Sequence, residues 1–237
     1  MTNFLTIDTS AQVVVGICAE RLGAVNELAV ARSADTRHHV EVLTPLVKTV
    51  LEQADIAKPD AIIAGTGPAP FTGLRAGLVT ARTLAAAWDV PIYGLSSAEV
   101  LALAGAKAGG NIVESIIDAR RKEVYALRAR ALGADDIEVL QEVRVISPQL
   151  LAAELEKDPA LVVCAEADLY ADELPGERIV AACTPPVMVR LLRSRQARSE
   201  AGENITFSLQ PQYLRRPDVQ GGKAQPHSAG NPYELNN

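Results

Sequence analysis

A chain of 237 residues, 48% hydrophobic and 22% charged, is long enough to bury a large core, as one domain or as two smaller ones. Its formal charge of −6 argues against a stand-alone nucleic-acid binder, because phosphate contacts dominate that kind of affinity. No apolar run approaches the roughly 18 residues of a membrane span. The first residues lead straight into a strand pattern, with no basic region ahead of an apolar signal core. Cys18, Cys164 and Cys183 are widely spaced among Ile, Val and Ala, unlike a disulfide frame or a metal knuckle. The expectation is a cytoplasmic protein kept in a reducing compartment.

Phe4 to Ile7, Val13 to Cys18 and Ala24 to Val30 are short β-rich runs, separated like hairpins by Ser10-Ala11-Gln12 and Arg21-Leu22-Gly23. Helical spacing follows from His39 to Ala54. Ala61 to Ala64 then reads as a strand, Leu74 to Trp88 as a helix and Ile92 to Gly94 as a strand. Ser96-Ser97 caps a helix to Ala106, and Ala108-Gly109-Gly110 breaks the chain.

The second half repeats this order. Val113 to Asp118 and Val124 to Arg130 form a hairpin about Arg120-Arg121-Lys122, and Ile137 to Val145 makes a third strand. Ser147 as N-cap and Pro148 at the first position open a helix to Lys157. Leu161 to Ala165 is a strand, and Thr184-Pro185-Pro186 opens a helix to about Ala197. Each half begins with a strand ending in Ile-Asp, followed by a meander and a helix. That duplication predicts an α/β fold of the actin-like, sugar-kinase-like (ASKHA) type, in which two βββαβα-type halves face a cleft. The halves are expected at 1–107 and 108–216, with the last helix able to pack back on the first half. The Gly, Pro, Asn and Gln rich stretch 217–237 is expected to be a disordered tail.

The string Gly65-Thr-Gly-Pro-Ala-Pro-Phe-Thr-Gly-Leu-Arg-Ala-Gly77 joins the fourth strand to its helix. No Lys-Ser or Lys-Thr follows its glycines, so it is not a Walker loop, and Pro70 stands where a dinucleotide fingerprint needs glycine. Physically it is a rigid turn at a helix N-terminus, a structural βα junction or an anion cradle.

With Ile7-Asp8-Thr9-Ser10, Ile117 to Tyr125 and Tyr213-Leu214-Arg215, that string resembles the TsaB (YeaZ-like, Gcp-like domain) family of bacterial tRNA threonylcarbamoyladenosine biosynthesis proteins, over residues 1 to about 216. Ala69 and Pro70 depart from the glycine and small residue usual there. The resemblance implies a non-catalytic subunit that holds TsaD active for threonylcarbamoyl transfer to the adenosine beside the tRNA anticodon. It implies pairing with TsaD and TsaE, a homodimer when alone, and no strong tRNA grip of its own. No cofactor is expected on this chain; ATP and metal are expected on the partner subunits.

Three groups of residues are candidates for a site. Asp8 and Asp118 match the aspartates that hold magnesium and phosphates in nucleotide-binding members of the fold, but Ser10 and Arg120 stand where the neighbouring glycine belongs. These four are a possible vestigial nucleotide site. An ATP-binding enzyme using Asp8 and Asp118, or a homodimeric regulator, are the alternatives. Catalytic relatives resembling TsaD carry His-x-x-x-His just after the strand matching Ile92 to Gly94, and here Ser97 and Leu101 occupy those places beside Glu99. No metal site and no catalytic residue is therefore expected, and spacing supports no Ser/His/Asp or Cys/His set. The helices from His39 and Leu74 carry the third group. A main apolar stripe of Leu43, Val47 and Val50 is flanked by Val42 and Leu46, while Leu74 and Leu78 are accompanied by Arg75 and Arg82. Such an arc is either deep core or a partner surface; the expected partner-binding set is His39, Val42, Leu43, Leu46, Leu74, Arg75, Leu78 and Arg82. The basic runs at Arg120 to Lys122 and Arg190 to Arg198 read as solvated edges.

Overall fold

Residues 1–33 and 39–215 are described by the computed structural model. The first half contains β1 (Thr2–Asp8), β2 (Val13–Arg21), β3 (Ala24–Ser33), α1 (His39–Ala54), β4 (Ala61–Gly65), α2 (Phe71–Trp88), β5 (Ile92–Leu95) and α3 (Ser97–Lys107). The second contains β6 (Ile112–Asp118), β7 (Val124–Leu132), β8 (Asp136–Ile146), α4 (Pro148–Lys157), β9 (Leu161–Cys164), β10 (Arg178–Val180) and α5 (Pro185–Glu200). The expected tail at 217–237 lies outside the described residues, as does the side chain of His39.

The two sheets have one topology. Their strand orders are β3-β2-β1-β4-β5 and β8-β7-β6-β9-β10, with a three-stranded antiparallel meander followed by two parallel strands in each. This is the duplicated ASKHA-type fold expected from the two Ile-Asp strands. Among the described residues, β10 is the one strand that the sequence pattern did not signal, being three residues long with no alternation to read.

Strand periodicity sends alternate side chains into different cores. On the first sheet, Leu5, Ile7, Ile17 and Ile62 face α1 and α2, while Phe4, Cys18 and Ile63 face the middle of the molecule. On the second, Ile116, Val124 and Ala126 face α4, while Val113, Ile117, Tyr125 and Leu127 face the middle. The middle layer consists of α3 and α5, and each is exchanged: α3 packs on the second sheet and α5 on the first.

The arginines of α5 tie this layer down. Arg193 pairs with Glu20 at 2.5 Å and lies over the Phe4 ring at 5.0 Å. Arg195 pairs with Glu99 of α3 at 2.5 Å and with the buried Asp136 at 3.3 Å. Arg198 joins Asp136 at 2.8 Å to Glu203 at 2.6 Å, and Arg190 reaches Asp135 at 3.5 Å. The run expected to be a solvated edge is thus a set of ion pairs across the junction of the halves. Spacing alone does not distinguish the two, because the acidic partners come from four other segments.

Candidate functional site

The carboxyl ends of the strands in both halves open onto a cleft of about 400 Å³. One wall is Thr9, Ser10 and Ala11 after β1 with Pro70, Thr72 and Gly73 at the start of α2; the other is Ile116 to Asp118, Arg120, Ala165, Glu166 and Leu169. Crevices at strand carboxyl ends are the usual ligand position in open α/β sheets. Gln12 crosses the gap, its Nε2 donating to the Ala165 carbonyl at 3.3 Å.

Asp8 does not face that cleft. It is 1% exposed, and its Oδ1 accepts the Ser10 N–H at 3.0 Å in an Asx-type turn. Its Oδ2 accepts the Ser97 hydroxyl at 2.5 Å. Ser97 in turn accepts from the Ser10 hydroxyl at 2.7 Å and from the Gly67 N–H at 3.3 Å. Oδ2 sits where a Cβ on Gly65 would stand, so glycine at the end of β4 is what lets the carboxylate turn inward. Burial pushes the Asp8 carboxyl above its ordinary range, against the opposing pull of Ser97 and Ser10. The neighbouring Cys183 thiol is pushed well up, first by burial and then by Asp8, which leaves it an inert core group.

Asp118 lies at the rim instead. Its Oδ1 accepts the Arg120 N–H at 2.8 Å, its Oδ2 pairs with the Arg120 guanidinium at 3.1 Å, and the Tyr170 hydroxyl donates to it. Arg120, Arg121 and Lys122 all have positive φ, at 61°, 53° and 60°, so the β6–β7 turn is left-handed through three non-glycine residues. The structure therefore brings Ser10, Asp118 and Arg120 to the cleft and leaves Asp8 behind its wall. Magnesium needs a free carboxylate and phosphates need close backbone approach, and this donor set does not fit them. One aspartate is consumed by hydroxyl bonds, the other by an arginine.

The positions matching the metal histidines of catalytic relatives are equally committed. Ser97 and Leu101 have no exposed surface, and Glu99 is held by Arg195. Among the described residues, no group of three or more His, Cys, Asp or Glu is arranged to hold a metal ion, and no helix is long and apolar enough to cross a membrane.

The expected partner surface needs correction. Leu43 and Leu74 are fully buried and Leu78 is 5% exposed, all in the core under α1 and α2, so no partner can touch them without unfolding these helices. Val42 and Leu46 are half-buried at the margin of that core, and Arg75 and Arg82 are exposed. Val79, which the sequence pattern did not single out, is 55% exposed between them on α2. Its signal is present only once the start of α2 is known: the helix begins at Phe71, directly after Pro70, three residues before Leu74.

After α5, residues 203–215 run without regular structure along β5 and over the start of α2. Arg82 Nη2 donates to the Leu209 carbonyl of this segment at 3.0 Å, so that arginine already has a partner within the chain.

With the geometry in place, comparisons with known proteins agree on a family. A family model described as TsaD, tRNA N6-adenosine threonylcarbamoyltransferase, matches residues 30–184. A protein of Mycobacterium tuberculosis described as uncharacterized is 34% identical over 228 residues, covering 92% of this chain and 94% of that one. The Bacillus subtilis tRNA threonylcarbamoyladenosine biosynthesis protein TsaB is 38% identical over 91 residues, 38% of this chain and 39% of its own. Among solved structures, YeaZ from Pseudomonas aeruginosa superposes with a TM-score of 0.70 at 25% identity, over 90% of this chain and all of that one. The chain belongs to the TsaD family, and within it is a TsaB-type (YeaZ-like) member.

Proposed function

We propose that this chain is a non-catalytic subunit of the machinery that makes threonylcarbamoyladenosine in tRNA, and that it acts by pairing with a TsaD subunit that carries the chemistry. The observation that carries the reading is the fate of the two strand-end aspartates. Asp8 is sealed by Ser97 and Ser10 and Asp118 is neutralised by Arg120, while Ser97 and Leu101 fill the places of the metal histidines. A chain with its would-be ligands bound to one another is suited to hold a partner's shape, not to polarise a substrate. The net charge of −6 favours a subunit that leaves the tRNA grip to others.

In this reading TsaD docks on the outer face of α1 and α2, at Val42, Leu46, Arg75 and Val79, and a second copy uses the same face when TsaD is absent. TsaE joins the assembled pair. ATP and metal belong to those partners.

Reconstitution tests it directly: threonylcarbamoyl transfer to tRNA by TsaD, TsaE and a threonylcarbamoyl-AMP synthase, with and without this chain. Transfer is expected to need the chain and to survive Asp118→Ala. Transfer that proceeds equally without the chain overturns the proposal, and loss in a folded Asp118→Ala variant restores a catalytic role. Leu46→Glu separates surface from core. It should weaken association with TsaD by about tenfold or more while costing under about 1.5 kcal/mol of stability. Leu74→Glu, a charge in the core, should cost about 4 kcal/mol or more in denaturant titrations and leave little folded chain to bind.

A further inference from the structure

We infer that Ile205–Arg215 is a clasp that holds both walls of the cleft, and that releasing it at either end frees both walls together. Its first anchor is the edge of the first sheet. The Phe207 carbonyl accepts the Gly94 N–H at 3.1 Å, and the Phe207 ring meets Tyr93 edge-on at 5.7 Å. Leu209 packs at the margin of the α1–α2 core. The second anchor is the signature turn, the Gly65–Gly77 string between β4 and α2: Gln212 N–H donates to the Thr66 carbonyl at 2.9 Å, and the Tyr213 ring lies 4.7 Å from Phe71 at the start of α2. The third anchor is on the opposite half, where Arg215 pairs with Glu123.

The second and third anchors each bear on a cleft wall. Thr66 N–H is bound to the Leu95 carbonyl at 2.8 Å, and the adjoining Gly67 holds Ser97 through its carbonyl and its N–H. That is the group of atoms that keeps Ser10 and Asp8 in place. Glu123 closes the left-handed turn, its N–H donating to the Arg120 carbonyl at 3.1 Å and its carbonyl accepting from Ala119 at 3.0 Å, and Arg120 lines the cleft. The signature turn and the β6–β7 turn belong to different halves, and this one segment touches both.

The attachment is built to be local. Phe207 and Leu209 reach only the margins of the two larger cores, and Tyr213 and Leu214 are each 41% exposed. A handful of hydrogen bonds worth about 1 kcal/mol each can open without unfolding the sheets beneath. The clasp also explains a glycine in the edge strand. A Cβ on residue 94 would stand at the Ser208 carbonyl oxygen and 2.9 Å from Thr66 Cγ2, so glycine is what lets a segment 114 residues later lie flat on β5. Covering β5 in this way also blunts an exposed sheet edge.

The inference stands apart from the partner assignment and is tested on the full chain alone by amide hydrogen exchange. Gly94→Ala pushes the clasp off at one end; the readout that matters is at the far end, residues 119–124. Arg215→Glu releases the other end, and its far readout is residues 64–68. Each variant should raise exchange at its far site by about tenfold, the scale of one or two lost hydrogen bonds, with β1 and α3 still protected. Adding Glu123→Arg to Arg215→Glu should restore protection at 64–68. Exchange that rises only beside each substitution, or at neither site, overturns the clasp. So does loss of protection throughout the chain, which would make the segment part of the core.

Discussion

The first strands of the two halves both end in Ile-Asp, and the two carboxylates sit in opposite settings. Asp8 is buried behind the cleft wall, bound to Ser10 and Ser97, beside a β4 that ends in glycine. Asp118 is at the rim, bound to its own turn through Arg120, and the strand beside it continues from Cys164 into Ala165 and Glu166 with no glycine. The backbone has been duplicated; the side-chain environment has not. Position in the fold brings an aspartate to the cleft, and the residues that follow decide whether it stays available.

The sharpest way to break this contrast is Gly65→Ala. The added methyl claims the place of Asp8 Oδ2, so the buried carboxylate must move and lose the Ser97 hydroxyl. A loss of about 3 kcal/mol is expected in urea titrations. A loss under about 1 kcal/mol would mean that Asp8 has room to turn elsewhere, and the sealed-aspartate reading fails.

Proton linkage gives a smaller and signed effect. Burial raises the Asp8 pKa from the usual 3.8, so the folded protein keeps a proton that the unfolded chain has released. Its contribution is complete below that unfolded value and is lost as pH rises through the folded one. Melting temperatures of the wild type and Asp8→Asn, compared from about pH 4 to about pH 8, should shift steadily against the wild type. The opposite trend would show Asp8 held as a stabilised anion. Asp118→Asn, which weakens a part-exposed ion pair, should change stability by no more than about 0.5 kcal/mol.

The smallest expected change is a gain. Lys122 occupies the left-handed region at φ 60°, so Lys122→Gly should stabilise by up to about 1 kcal/mol if the turn is strained by its side chains. A net loss would show the lysine engaged in contacts that offset its backbone cost.

Much of the architecture was legible because periodicity is local. The short apolar, β-rich runs of β1, β6 and β7, the Ser147-Pro148 start of α4 and the repeat of Ile-Asp are all read within a few residues. What failed to appear needed partners from far along the chain. Leu43 and Val42 are adjacent apolar residues on one helix, and only packing against the first sheet makes one core and the other margin. Arg195 looks like a surface charge until Glu99 and Asp136 arrive from other elements. The segment after Gly202 has the composition of a loop, and its order comes from β5, Thr66, α2 and Glu123. At the cleft the departures from pattern were visible, Ser10 and Arg120 for glycine; the inward turn of Asp8 was not, because Gly65 lies 57 residues away.

The exchange of α3 and α5 has a consequence for how the molecule comes apart. Since each half lends its last helix to the other's sheet, neither half can lose its structure without stripping the face of its neighbour. Calorimetry should record a single transition whose van't Hoff and calorimetric enthalpies agree, despite the doubled ancestry of the sequence. A chain cut at Gly109 would yield two fragments, each with an apolar sheet face left bare and folded only in the other's company.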